Sequence, residues 1–181
     1  MKHVAARYLA YLIAAVGIPG LPTLHAELLP PPPSEIVLIG GVDNLRQVDK
    51  QAFGTVRAQY GFNFHGVRPF AQMGLAHAGS LYGGAGLMYD FHLTRTTWFT
   101  IASGPGAFRH KGNDPDLGYG LEFASWVELS TILMQRRVGI TFGHLSNAHL
   151  GSRNPGTETL GITLHFPASR SHRSAPHAYA E

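Results

Sequence analysis

Stretches in which apolar and polar side chains strictly alternate recur along nearly the whole chain, and some of them outrun the strands of ordinary soluble proteins. Over 51–64, Val56, Ala58, Tyr60, Phe62 and Phe64 fall on one side, with Thr55, Arg57, Gln59, Gly61 and Asn63 on the other. Over 80–94, Leu81, Ala85, Leu87, Tyr89, Phe91 and Leu93 oppose Tyr82, Gly84, Gly86, Met88, Asp90 and His92. A period of two belongs to extended strands with one apolar and one polar face. The second stretch is 15 residues long, beyond the roughly ten at which strands of globular proteins usually stop.

The same pattern predicts further strands at 36–44, 70–77, 97–108, 118–129, 137–149 and 158–166. Eight antiparallel strands of about this length are what the smallest outer-membrane barrel needs, with the apolar face toward lipid and the polar face filling the interior. Closure also removes the free edges that so apolar an open sheet would present. Gly83, Gly84, Gly86, Gly104, Gly106, Gly118 and Gly120 read as small residues of a crowded inner face. A soluble lipocalin-like barrel is the rival, and it would turn its apolar side inward around a ligand. Tyr60, Phe62, Phe64, Tyr89, Phe91, Trp98, Phe99 and Trp126 fall toward predicted strand ends, as interfacial aromatic girdles do, and favour the membrane form.

Composition agrees. Charged residues make up 14% of the chain, against about 25% in soluble domains. No apolar run after the N-terminal segment approaches the roughly 18 residues of a membrane helix. Residues 1–26 read as an export signal, with Lys2 and Arg7, an apolar core over 9–18, and a processing site near Thr23-Leu24-His25-Ala26. Without that segment, twelve basic residues face eleven acidic ones, a net +1, so nucleic acid is not an expected partner. The chain has no cysteine, which excludes disulfides and thiol nucleophiles. Residues 27–34 form a proline-rich lead-in, 35–166 the barrel, and 167–181 a polar tail of disordered composition. An even strand count from a periplasmic N-terminus puts turns near Gly66, Arg95 and Met134 in the periplasm. Those near Leu45, Gly79, Gly112 and Gly151 are then external, and the 144–146 segment lies in the outer leaflet.

One apolar stripe carries chemistry. Val138, Ile140, Phe142, Leu160, Ile162, Leu164 and Phe166 share a predicted face with His144, Ser146 and Glu158. Residues two apart on a strand point the same way, about 6.7 Å apart. A hairpin centred on Gly151 sets Glu158 directly opposite His144. A serine hydroxyl needs a neighbouring imidazole to take its proton, and the imidazole needs an acid to hold its tautomer. The expected roles are Ser146 as nucleophile on an ester carbonyl, His144 as base and then acid, and Glu158 as orienter. Polar groups on a lipid face are costly, so three at matching heights ask for a function.

The string His144-Leu145-Ser146-Asn147-Ala148, followed by Asn154, Gly156, Glu158 and a last strand ending at Phe166, resembles the signature of the PagL outer-membrane lipid A 3-O-deacylases. The resemblance implies hydrolysis of the ester-linked acyl chain at the 3 position of lipid A by Ser146, His144 and Glu158. Asn147 and Asn154 match polar positions of that motif and are expected to support an oxyanion pocket, with backbone N–H groups near Ala148 assisting. The tail 167–181 departs from the family pattern, in which barrels finish at an aromatic strand end.

Of the 11 histidines, His144 and His149 alone approach metal-ligand spacing, and five residues apart on one strand they face opposite ways, so no metal or other cofactor is expected. His92 and His165 fall on the inner face with Asp90 and Thr163, where interior hydrogen bonding accounts for them. The expected partners are lipid A and the outer membrane, with external Arg109, Lys111 and Arg153 near lipid phosphates; a homodimer would have to pair on the same exterior face. The alternatives are a non-catalytic structural or adhesive barrel, against which the short connection at Gly79 argues, and a soluble ligand carrier.

Overall fold

The structure, a computed structural model, describes residues 33–46, 48–61 and 66–168. The segment 1–26, most of 27–34, the tail from residue 169, and Phe62 and Phe64 lie outside the described residues. The strands are β1 Glu35–Asp43, β2 Gln51–Gln59, β3 Val67–Ala76, β4 Leu81–His92, β5 Thr97–Arg109, β6 Leu121–Leu133, β7 Arg136–Ser146 and β8 Thr157–Pro167. They close into one antiparallel barrel in chain order, β1 pairing with β8 from Glu35↔Pro167 to Val42↔Leu160. Strands of 9 to 13 residues match the roughly 9 to 11 that cross a bilayer at a tilt.

Burial settles which face is in. Leu38, Val56, Met73, Leu87, Ile101, Leu129, Ile140 and Ile162 are exposed, while their neighbours Val37, Arg57, Gln59, Met88, Thr100, Glu128, Thr141 and Thr163 are buried. The oily face is therefore outside, the reverse of a lipocalin. Five expectations need correction. Strand β2 ends at Gln59 rather than continuing through the alternation read to 64, and Tyr60 and Gly61 already lie outside it. Strand β6 spans Leu121–Leu133 rather than 118–129, because Gly118 has φ +84° and belongs to the preceding loop with Gly120. Strand β7 stops at Ser146 rather than at 149, since Ala148 and His149 take left-handed φ values of 52° and 64° and turn the chain. Trp98 and Trp126 are not girdle residues: both are buried in the lumen, under Arg137 and Arg57, whose guanidinium carbons lie 4.8 and 3.5 Å from the indole centroids. Gly83 faces outward, whereas Gly84 and Gly106 leave the inner space that the Tyr82 ring occupies. An outward aromatic cluster survives at the lower end, where Tyr89, Phe91 and Phe99 stack in series.

The lumen is filled rather than open. Phe70, Met88, Ala102 and Trp126 form its apolar middle. Below them Arg137 reaches Asp90, Glu35 and Glu128 at 3.4, 3.6 and 3.8 Å, and Arg68 binds Asp90 at 2.6 Å. His165 bridges Glu35 and Glu128 at 3.1 and 2.8 Å, and it sits on the inner face with Thr163, as the alternation predicts. Arg57, Arg68 and Arg137 thus answer Glu35, Asp90 and Glu128, which is what keeps charge in a low-dielectric interior tolerable. Above the apolar middle lies a cavity of about 120 Å³ bordered by Asp43, Phe53, Tyr82 and Leu117.

The upper rim carries the connections 44–50, 77–80, 110–120 and 147–156. Asp114 ties two of them, accepting from the N–H groups of Ser80 at 2.7 Å and Ala78 at 3.1 Å. Burial by itself would raise its carboxyl, but those two N–H bonds, together with the Ser80 hydroxyl and His110, hold the group below the usual carboxylate range. The lower rim closes with short turns, among them Met134–Gln135, both at positive φ as a two-residue hairpin of this twist demands.

Candidate active site

His144 and Glu158 face each other across β7 and β8 in the register centred on Gly151, on the outside of the barrel. Nδ1 of His144 lies 3.3 Å from Oε1 of Glu158. The imidazole is partly exposed, whereas the carboxylate is nearly covered. Continuing the register one step beyond Leu145↔Thr157 sets Gly156 opposite Ser146. The free edge of the imidazole leans that way: a Cβ on Gly156 would stand 2.9 Å from His144 Cε1 and 3.4 Å from Nε2. Gly156 has φ +61°, a conformation that a side chain resists. Ser146 ends β7 on the same outer face, half-buried. Among the described residues no hydrogen bond joins Ser146 to His144.

The two asparagines hold the loop. Asn147 is fully buried; its Nδ2 donates to the carbonyls of Leu117 at 2.9 Å and Arg153 at 2.7 Å, and its Oδ1 accepts from the His149 N–H at 2.9 Å. Asn154 Oδ1 accepts the Asn147 N–H at 3.0 Å. Both side-chain donors of Asn147 are thereby engaged with carbonyls. Arg153 binds Asp116 at 2.8 Å, so the 147–156 and 110–120 loops are clamped together. The Gly118 N–H, joined by Arg153, holds the Asp116 carboxyl below its ordinary range. Of the other rim cations, Arg109 and Lys111 are exposed.

Two features of the site were not singled out by the strand pattern. Ser125 on β6 stands directly opposite His144, and its hydroxyl lies 2.9 Å from that of Ser103 on β5, so Ser103, Ser125, His144 and Glu158 form one polar row across four outward faces. Either serine was visible only as a polar break in an apolar alternation. Arg46, in the 44–50 connection, places Nη2 2.8 Å from Glu158 Oε1. Nothing in a loop arginine's local sequence says which acid it meets.

Residues 79–167 match the family described as lipid A 3-O-deacylase (PagL). The chain belongs to the PagL family. The matched segment runs from the β3–β4 connection to the end of β8 and holds His144, Ser146 and Glu158 together; Arg46 precedes it. Among solved structures, the chain is similar to the outer membrane enzyme PagL at 18% identity and a TM-score of 0.55, over 74% of this chain and 99% of that one. It is also similar in fold to Neisserial surface protein A (NspA), at 9% identity and a TM-score of 0.52, over 74% of this chain and 95% of that one. No curated protein matches. This PagL-family chain is an integral outer-membrane β-barrel of eight strands.

Proposed function

We propose that the protein is a serine esterase of the outer membrane that removes the ester-linked acyl chain at the 3 position of lipid A. The single observation that carries this reading is the His144–Glu158 contact on the lipid-facing side, with Ser146 two residues along β7 on the same outer face. A charge pair there serves no packing purpose, since an apolar pair would suit hydrocarbon better. In the proposed mechanism Ser146 Oγ attacks the ester carbonyl while His144 Nε2 takes its proton, and Glu158 steadies the imidazolium through Nδ1. The tetrahedral intermediate collapses as Nε2 returns the proton to the departing sugar oxygen. Water, deprotonated by the same nitrogen, then cleaves the acyl-enzyme to a free fatty acid and restores Ser146. The Ser146–His144 hydrogen bond forms when substrate is bound, as is common where the free enzyme's contacts are loose.

The oxyanion needs a donor about 3 Å away. The Ala148 N–H, next along the chain from the anchored Asn147, is a donor without an acceptor among the described residues, and Asn147 and Asn154 serve the pocket by fixing that turn. This assigns the asparagines a supporting role through backbone placement.

Mass analysis of lipid A from cells with and without the protein tests the reading. The expected result is loss of one ester-linked acyl chain, with fragmentation assigning it to the 3 position; unchanged lipid A would end it. A second expectation concerns Gly156. Its replacement by alanine adds a methyl against the imidazole and costs about 1 to 2 kcal/mol in backbone strain. Acyl release should fall about tenfold or more as His144 is pushed off line, while the heat-modifiable gel shift of the folded barrel persists. Full activity in that variant would show that the imidazole is not held where the mechanism needs it.

A further inference from the structure

The acid beside His144 carries a second donor. Arg46 Nη2 lies 2.8 Å from Glu158 Oε1, the oxygen that His144 Nδ1 also reaches at 3.3 Å. The arginine side chain is 77% exposed and the glutamate's 9%. Backbone contacts, not one rotamer, set this placement. The Leu45 N–H donates to the Glu158 carbonyl at 3.4 Å, and the Asn44 N–H donates to Thr157 Oγ1 at 3.1 Å. Asn44 Nδ2 donates to the Asp49 carbonyl at 3.1 Å and folds the connection back on itself. The chain is thereby pinned to the first two residues of β8, and position 46 follows against Glu158.

A guanidinium offers five N–H donors in a rigid planar fork matched to carboxylate and phosphate oxygens. Contact with one carboxylate oxygen leaves the rest of the fork available, and the side chain is exposed in an upper-rim connection, the level expected of lipid headgroups. Resting on the lipid A reading above, we infer that Arg46 is a positioning residue that joins a phosphate of the substrate headgroup to Glu158. The same cation then anchors the lipid and holds the acid in line with His144. A substrate without phosphate engages only the Glu158 half of that bridge. Lysine would keep the charge but, lacking the fork, could not serve both anions at fixed geometry.

The test uses the full chain refolded in detergent micelles, with phosphorylated lipid A and the same lipid stripped of its phosphates. Wild-type protein should favour the phosphorylated lipid in kcat/KM by about tenfold, the order expected of one charge-assisted hydrogen bond. Arg46→Gln should erase that preference, chiefly through KM, and lower kcat on both lipids by a common few-fold factor from the lost hold on Glu158. Arg46→Lys should recover part of the preference. Binding of the two lipids to Ser146→Ala and to Ser146→Ala/Arg46→Gln gives a readout independent of turnover. A preference that survives Arg46→Gln in both binding and turnover overturns the inference. Added inorganic phosphate at millimolar concentration should leave the preference intact; its abolition would mean a site for free phosphate and would equally overturn headgroup anchoring. If neither lipid is hydrolysed by any form while the binding preference still depends on Arg46, the esterase reading fails and the anion contact stands.

Discussion

Alanine at position 146 should lower acyl release by about a thousandfold or more, because removing the proposed nucleophile leaves only binding and oxyanion contributions. Stability should hardly change. Ser146 is half-buried at the end of β7 and loses no hydrogen bond among the described residues, so the effect on unfolding should stay within about 0.5 kcal/mol. The outward hydroxyl of Ser125 provides an internal control. It stands directly opposite His144 on the β6 side, whereas the free edge of the imidazole leans toward Gly156 on β8. Ser125→Ala should therefore keep most activity. Acyl release would be followed as free fatty acid from lipid A in detergent, with folding checked by heat-modifiable mobility. Wild-type rates from Ser146→Ala would end the serine mechanism, and a collapse in Ser125→Ala alone would move the nucleophile one strand away.

Methionine in place of Arg137 should produce the largest loss of stability. That guanidinium contacts Asp90, Glu35 and Glu128, donates to Ser130 Oγ at 2.9 Å, and covers Trp98. Its removal leaves three buried carboxylates to Arg57, Arg68 and His165. Breaking a buried ionic cluster by deleting one partner typically costs about 3 to 5 kcal/mol, since the remaining charges lose their compensation without regaining water. The measurement is the urea midpoint of the barrel refolded in lipid vesicles. Adding Glu128→Gln to Arg137→Met should recover part of the loss, because one stranded carboxylate is then neutral, and that coupling separates charge from packing. Arg109→Met, at an exposed rim position, should shift the midpoint by no more than about 0.5 kcal/mol. Equal shifts for Arg137 and Arg109 would mean that the lumenal cluster is solvated. The site lies on the exterior at the upper end, so the folded fraction of Arg137→Met should keep its acyl release.

The outward and inward faces of β7 and β8 were legible residue by residue, since a period of two leaves no freedom once one face is known. The His144↔Glu158 pairing followed from hairpin symmetry about Gly151, and the ladder agrees. Strand ends were less legible. Gly118, Ala148 and His149 leave the extended region through positive φ, which an alanine or histidine does not advertise. Trp98 and Trp126 misled because tryptophan suits an interface and a stacked lumen equally well; the deciding fact is an arginine on another strand, Arg137 for one and Arg57 for the other. Asn147 illustrates the same limit within the loop, since its inward turn depends on carbonyls of Leu117 and Arg153 that no local motif foretells.

By itself, the sequence determined the alternation, the number of strands and the set of His144, Ser146 and Glu158 on one stripe, because these depend on side-chain chemistry and on local separations, whereas the outward turn of the oily face was decided by burial. Only the tertiary structure decided that Arg46 shares the oxygen of Glu158 that His144 uses, that Ser125 stands on the other side of the imidazole, and that both donors of Asn147 are engaged with carbonyls. Those contacts join strands and loops far apart in the chain, and their existence depends on barrel closure and on the height at which each connection crosses the rim.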